Sequence, residues 1–364
     1  MSRSPQSLAS ASQGRTRLLY VINDLTVGGA QRALLSQAEA LARDRFEVHV
    51  ASLELVAEGT LTGAFRDVGV EVHLLAAPGE AFGLAPLRVQ PLVVSTLHNV
   101  SDWVERRHHP LRAIDRATLP LADSLCAVSN AVREAVAKVS PKLALRTRTL
   151  RNGVDLERFR PPPGARAAAR ARAGFAPADF VIATVARLEP SKGIETLLRA
   201  AARASTHAPM LQLLIVGDGS DRVRLETLAE SLDIAAWVTF AGTRDDVPQL
   251  LAAADLFAVP SRTEGLGVAA IEALAAGLPV LASNVGGLPE IVQDRVCGRL
   301  LPHDDVDAWT DAIASAAVEP EALRPWSDAA FRCARAFSIE SSVEALEQLY
   351  ASLRDRSGRR RKAA

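Results

Sequence analysis

Short β-branched runs alternate with longer stretches rich in Ala, Leu and Arg along most of the chain. This alternation predicts strands joined by crossover helices, and hence parallel α/β layers. In the first half, strands are expected at Leu18–Leu25, Glu47–Leu53, Val70–Leu75, Leu92–Leu97, Ser124–Ser129 and Arg146–Asn152. In the second half they are expected at Phe180–Leu188, Leu211–Gly217, Trp237–Gly242, Leu256–Pro260, Pro279–Ser283 and Arg299–Pro302. Pro161–Pro163 and Gly164 break the pattern and mark the expected boundary between domains at 15–160 and 161–337. A helix is expected next, over Ala165–Gly174. A last helix is expected over 338–356, where Val343, Leu346, Leu349 and Leu353 keep helical spacing. Residues 1–14 read as a disordered lead and 357–364 as a basic tail. Two sheets with Gly-rich turns after strands suggest two Rossmann-like domains facing across a cleft. Ligands in such sheets bind beyond the carboxyl ends of the strands.

Composition narrows the class of protein. The 364 residues carry 42 basic and 42 acidic side chains, so no bulk charge points to nucleic acid. Cys126, Cys297 and Cys333 form no Cys-x-x-Cys pair, and an odd count argues against a disulfide framework; a reducing cytoplasm fits. The first 14 residues have no apolar run, so no secretory signal is expected. No stretch approaches about 18 uninterrupted apolar residues, so no membrane span is expected. Residues 101–152 hold ten Lys or Arg and five acids, which suits an anionic acceptor, peripheral contact with the inner face of a membrane, or simply a solvated basic face.

Candidate chemistry lies just after strands. Gly28 and Gly29 sit between the first strand and a helix, where backbone can approach a ligand and free N–H groups can meet an anion. Arg187 and Lys192 end the first strand of the second half beside a helix start. Two cations there suit a diphosphate, Arg binding in a fork and Lys as a point charge. Glu264 and Glu272 stand eight apart across Gly265 and Gly267. Glu272 falls in the otherwise apolar run Val268–Ala276, where an unpaired buried carboxylate would cost several kcal/mol, on the order of a lost solvation shell. Ribose hydroxyls would satisfy it. Asp305-Val306-Asp307 has the form of an Asp-x-Asp metal motif, but it precedes a helix, where Asp is a routine cap. No metal site is expected.

The Glu264-x7-Glu272 segment resembles the signature of retaining glycosyltransferases of the GT-B fold, family 4 type (glycosyl transferases group 1). The resemblance extends over about residues 16–350. It includes Asn152-Gly153-Val154-Asp155 with Phe159, Arg187 with Lys192-Gly193, Val216-Gly217-Asp218-Gly219, Gly242 with Val247, Gly286-Gly287-Leu288-Pro289-Glu290 and Gly298. It implies an α/β GT-B architecture and a transferase of the EC 2.4 type, moving a sugar from a UDP- or GDP-sugar to a glycan, glycolipid or lipid-linked acceptor in cell-envelope polysaccharide synthesis. No metal cofactor is implied. By the same resemblance Arg187 and Lys192 hold the diphosphate and Glu272 the ribose. Glu264 contacts the transferred sugar, with Gly267 and Val268 N–H groups nearby. Gly217, Gly219 and Val247 lie on the nucleotide side, Gly28 and Gly29 close on the phosphates, and His98 stands beside the reacting sugar. Retention implies same-face attack, with the protein stabilising charge on the leaving diphosphate; double displacement through Glu264 stays open on sequence.

One departure matters. Only Ala76–Pro91 lies between two expected strands where the family pattern has a helix, a strand and a helix. A crossover alone needs a dozen or more residues. The shortened N-terminal domain leaves a second reading, a non-catalytic homologue that binds nucleotide or a partner.

Overall fold

The computed structural model describes residues 15–22, 25, 28–52, 60–74, 92–98 and 119–363, with backbone only for 74 and 357–363. The expected disordered lead and the shortened stretch 76–91 lie outside the described residues. The chain forms two compact units, Met1–Val89 and Gln90–Ala364.

In the first unit, β1 (Thr16–Ile22), β2 (Phe46–Ser52) and β3 (Glu71–Leu74) form a parallel sheet in that order. Val48 and Val50 point to one face and are buried, together with Phe65 of the helix Thr62–Asp67 and Ala38 of the helix Gly29–Ala40. On the other face Leu19 and Val21 stay exposed. Because successive strand residues alternate faces, this second face also carries Glu47, His49, Glu71 and His73.

The second unit opens with a parallel sheet of β4 (Val94–Leu97), β5 (Ser124–Ala127) and β6 (Thr147–Thr149). Ser129 starts the helix Asn130–Val139 by accepting from the Val132 N–H, a side-chain cap. Six more strands follow: β7 (Phe180–Val185), β8 (Leu211–Val216), β9 (Val238–Gly242), β10 (Leu256–Val259), β11 (Val280–Ser283) and β12 (Gly298–Leu301). They form one all-parallel sheet in the order β12-β11-β10-β7-β8-β9. Strand order reverses between β7 and β10, the switch point where doubly wound sheets open a ligand crevice. The inner strands β7, β10 and β11 are buried on both faces, as parallel sheets covered by helices require.

Most observed strands stop one to three residues short of the expected runs. β7 ends at Val185 because Leu188 turns away, its N–H donating to the Asp218 carbonyl at 2.9 Å. The break at Pro161–Pro163 falls inside the second unit. There one hydrophobic cluster runs from Leu125, Val132 and Phe159 through to Val181, Phe257 and Ile271. The final helix, Ile339–Ala363, continues beyond Arg356, since Arg, Lys and Ala are good helix formers. It buries Val343, Leu346, Leu349 and Leu353, as their spacing predicts. Its start is pinned to the segment after β6: Ile339 donates to the Val154 carbonyl at 2.9 Å and Ser342 to the Arg151 carbonyl at 2.9 Å. Among the described residues no helix is long and apolar enough to cross a membrane.

Candidate donor site at the β7–β10 switch point

The loops after β7 and β10 are stitched together. Arg262 N–H donates to the Ser191 carbonyl at 2.8 Å, and the Arg262 guanidinium reaches the Pro190 carbonyl at 2.8 Å. A Cβ on Gly193 would lie 2.0 Å from the Pro260 carbonyl oxygen, at a backbone φ of +64°. Glycine therefore permits both the turn and the contact that bring these loops together. Across the seam, Lys192 Nζ donates to Glu264 Oε1 at 2.5 Å, and Ser261 Oγ donates to the same oxygen at 3.0 Å. Both charged side chains are largely sheltered, 20% and 14% exposed. Arg187 differs: it is 62% exposed and paired only at the surface, with Glu189 at 2.9 Å. Such a pair contributes little, so the guanidinium can leave it for an anion at small cost.

Beyond Glu264 the chain turns through Gly265 and Gly267 into the helix Val268–Ala275. The first N–H groups of a helix have no acceptor within it, so this start presents donors beside Glu264. Glu272 lies one turn further, four residues after Val268 and hence on its face of the helix; it is half-buried. On the other side, the loop after β8 packs on the loop after β7. Cβ atoms at Gly217 and Gly219 would lie 1.9 Å from the Ala186 carbonyl oxygen and 2.3 Å from that of Leu188. Asp218, there, is held below the usual carboxylate range by the Gly219 N–H and by Arg222. Val247 begins the helix Val247–Leu251, but it is buried in the core, so only its backbone is available to a ligand.

His98 follows β4 directly. Its ring is open to solvent yet crowded by protein, and that desolvation lowers its pKa. The strand ends of its sheet meet the Glu264 turn, since Ser129, two residues beyond β5, donates to the Gly265 carbonyl at 2.6 Å. In the first unit Gly28 precedes the helix Gly29–Ala40 in extended conformation. Asp305 caps the helix Val306–Val318 by accepting from the Ala308 N–H at 3.0 Å, while Asp307 pairs with Arg203, so this Asp-x-Asp segment is spent on structure.

Two supports escaped the sequence reading. Ser129 is one. Glu290 is the other: its carboxylate accepts from the Ala131 N–H at 3.0 Å and from Arg151 at 2.9 Å, tying the β4–β6 sheet to the turn after β11. The Gly286-Gly287-Leu288-Pro289-Glu290 segment was visible as a motif, but its partners lie 159 and 139 residues away.

The fold and this seam define a doubly wound α/β protein with charged loops gathered at the carboxyl edge of its larger sheet, at the switch point. Residues 165–332 match the family "Glycosyl transferases group 1". That segment, somewhat under half of the chain, is similar to the GT-B glycosyltransferases of the family 4 type. It is similar to the D-inositol 3-phosphate glycosyltransferase of Saccharomonospora viridis, 40% identical over 241 residues, covering 63% of this chain and 53% of the relative. The enzyme of the same name from Mycobacteroides abscessus is 39% identical over 236 residues, covering 63% and 49%. The match thus spans about half the length of these relatives. Among solved structures, Anabaena Alr3699/HepE in complex with UDP and glucose superimposes with a TM-score of 0.80 at 24% identity, over 92% of this chain and 99% of that one. WaaG, a glycosyltransferase involved in lipopolysaccharide biosynthesis, does so with a TM-score of 0.75 at 21% identity, over 91% and 98%. Both likenesses concern the fold.

Proposed function

We propose that the chain transfers a sugar from a nucleotide-diphosphate sugar to an acceptor, using the β7–β10 crevice as its donor site. The observation that carries this reading is the seam itself. Lys192, Glu264 and the start of the helix Val268–Ala275 converge where a doubly wound sheet receives a ligand. Arg187 and Lys192 bind the diphosphate. Glu272 accepts from ribose hydroxyls, and the loops at Gly217, Gly219 and Val247 flank the nucleotide. Glu264 orients the transferred sugar, and the N–H groups at Gly267 and Val268 face the same ligand. The UDP held by the HepE structure supports UDP as the nucleotide.

In this reading catalysis rests on charge. As the bond from anomeric carbon to diphosphate breaks, negative charge grows on the leaving oxygen, and cations already in place stabilise it without reorganisation. The acceptor attacks from the same face, its proton passing to the departing diphosphate, so configuration is retained. His98, neutral because its pKa is lowered, accepts or donates a hydrogen bond beside the sugar rather than adding charge. No metal is required for these steps. The acceptor is anionic: the relatives are named for inositol 3-phosphate, and residues 101–152 carry twice as many basic as acidic side chains. A phosphorylated polyol and a lipid-linked phosphate both meet that description, the latter at the inner face of a membrane.

Thermal-shift titration with UDP, GDP and their sugar conjugates, beside the Glu272→Ala variant, tests the donor site. A ligand confined to the folded state adds about 2.7 kcal/mol at a hundredfold excess over its Kd. A shift with one nucleotide that Glu272→Ala abolishes is the expected result. A cooperative melt indifferent to every nucleotide would instead make the chain a non-catalytic homologue.

A further inference from the structure

We propose that the first unit carries a divalent metal site of the zinc type, formed by His49, His73 and Glu71 on the strands β2 and β3. The sequence Glu-Val-His occurs twice, at 47–49 and 71–73. Alternation along a strand puts the Glu and His of each triplet on one face, with Val on the other. The parallel register pairs His49 with Glu71 and Ala51 with His73, so the triplets are offset by one Glu–His step. The small side chain of Ala51 leaves room for the His73 ring to lie over His49. The rings stack with centroids 5.6 Å apart and planes at 22°.

The donor atoms are spaced as ligands of one ion. His49 Nδ1 lies 3.4 Å from His73 Nε2 and 3.3 Å from Glu71 Oε2, and His73 Nε2 lies 3.9 Å from Glu71 Oε1. A tetrahedral ion with bonds of about 2.0–2.1 Å has ligand–ligand edges of about 3.3–3.4 Å. The His49–His73 and His49–Glu71 spacings meet this; His73 faces the other oxygen of the same carboxylate, which is exposed and can rotate to bring one oxygen to both rings. All three ligand atoms lie within 4.8 Å of one another.

The second Glu–His pair sets the tautomer. Glu47 Oε1 lies 3.1 Å from His49 Nε2, so it accepts the proton there and leaves Nδ1 with its lone pair toward His73 and Glu71. A carboxylate behind a ligating imidazole is the usual outer partner in such sites. Two imidazoles and a carboxylate suit zinc or a neighbouring transition ion rather than calcium or magnesium, which prefer all-oxygen sets. A cavity of about 420 Å³ opens beside His49, Glu71 and Glu47, lined also by Arg15 and Arg43. A bound ion would clip the edge strand β3 to β2. The site is independent of the proposed donor crevice, since all its residues lie within the first unit.

Isothermal titration of the metal-free full-length chain with ZnCl2, and absorption spectroscopy with CoCl2, test the site. One ion per chain is expected, with the visible bands of tetrahedral Co²⁺ and a rise in melting temperature on adding Zn²⁺. His49→Ala and His73→Ala should each weaken binding more than about tenfold, and Glu47→Gln by about tenfold, the usual effect of removing an outer partner. Absence of stoichiometric binding would overturn the proposal and leave a hydrogen-bonded histidine pair. So would binding that survives both histidine variants, or a thiolate charge-transfer band, which would put the ion on cysteine. If a variant fails to fold, the Co²⁺ spectrum of the unaltered chain decides between nitrogen and sulfur ligands.

Discussion

Lys192 has two separable roles, and a pair of substitutions pulls them apart. In the free protein it neutralises Glu264, whose Oε1, among the described residues, has Ser261 as its other donor. Lys192→Ala leaves that carboxylate, 14% exposed, with one neutral donor. A buried charged acceptor deprived of its partner costs about 1–3 kcal/mol, well short of the roughly 3–5 kcal/mol of a fully buried pair, because water still reaches this one. At about 2–4 °C per kcal/mol for a domain of this size, melting should fall by roughly 2–12 °C. Adding Glu264→Gln removes the orphaned charge, and the double variant should recover most of that loss. Nucleotide binding behaves differently. The Lys192 contact to a diphosphate is a charged hydrogen bond, about 1.5–3 kcal/mol, so UDP affinity should drop roughly 10- to 100-fold. The second substitution should not restore it. Differential scanning fluorimetry and UDP titration on the four proteins of the cycle supply both numbers. Unchanged stability and affinity in Lys192→Ala would refute the account, and recovery of UDP affinity in the double variant would show that Lys192 acts only through Glu264.

Gly286→Ala should destabilise the chain by more than about 1–2 kcal/mol, the usual left-handed penalty for a side chain. Its φ is +54° and the new Cβ would sit 1.8 Å from the Glu264 carbonyl oxygen; a denaturation midpoint equal to that of the parent would contradict this packing. Burial pushes the Cys297 thiol up to about 12 and also raises that of Cys126, so neither should react with a thiol reagent at pH 8 until the chain unfolds. Rapid modification of either in the native protein would count against the burial described. His98 has a lowered pKa, so in acid the folded chain binds fewer protons than the unfolded one. Its contribution to stability is intact above about pH 6.5 and is lost as pH falls through that ordinary imidazole value toward its lowered one. Melting curves from pH 7.5 to 5 should show this slope, and His98→Gln should flatten it.

The residues that make the seam were legible one loop at a time. Arg187 and Lys192 follow β7, and Glu264 and Glu272 flank the turn after β10, because a strand, a Gly-rich turn and a helix are encoded within about twenty neighbouring residues. That the two loops meet at 2.5 Å was not legible, because it depends on β7 and β10 being neighbours in the sheet although β8 and β9 intervene in sequence. The same limit hid Ser129, which reaches Gly265 across 136 residues, and the Glu290 clasp to Ala131 and Arg151. The exact reach of strands also escaped pattern reading: β7 stops at Val185 because of a hydrogen bond to a carbonyl on another loop.

The sequence by itself determined the element types, the buried positions of the final helix and the loops that bear charge. Each of these follows from local periodicity and turn chemistry, which act over a few residues. Only the tertiary structure decided which loops share a crevice, and that residues on either side of the exposed break at Pro161–Pro163 join one hydrophobic cluster. The histidines are the plainest case. Two Glu-Val-His triplets can be read from the chain, but a shift of one residue between β2 and β3 would turn one triplet to the opposite face. Strand register, fixed by burying Val48 and Val50 on the other side of the sheet, is what brings His49, Glu71 and His73 together.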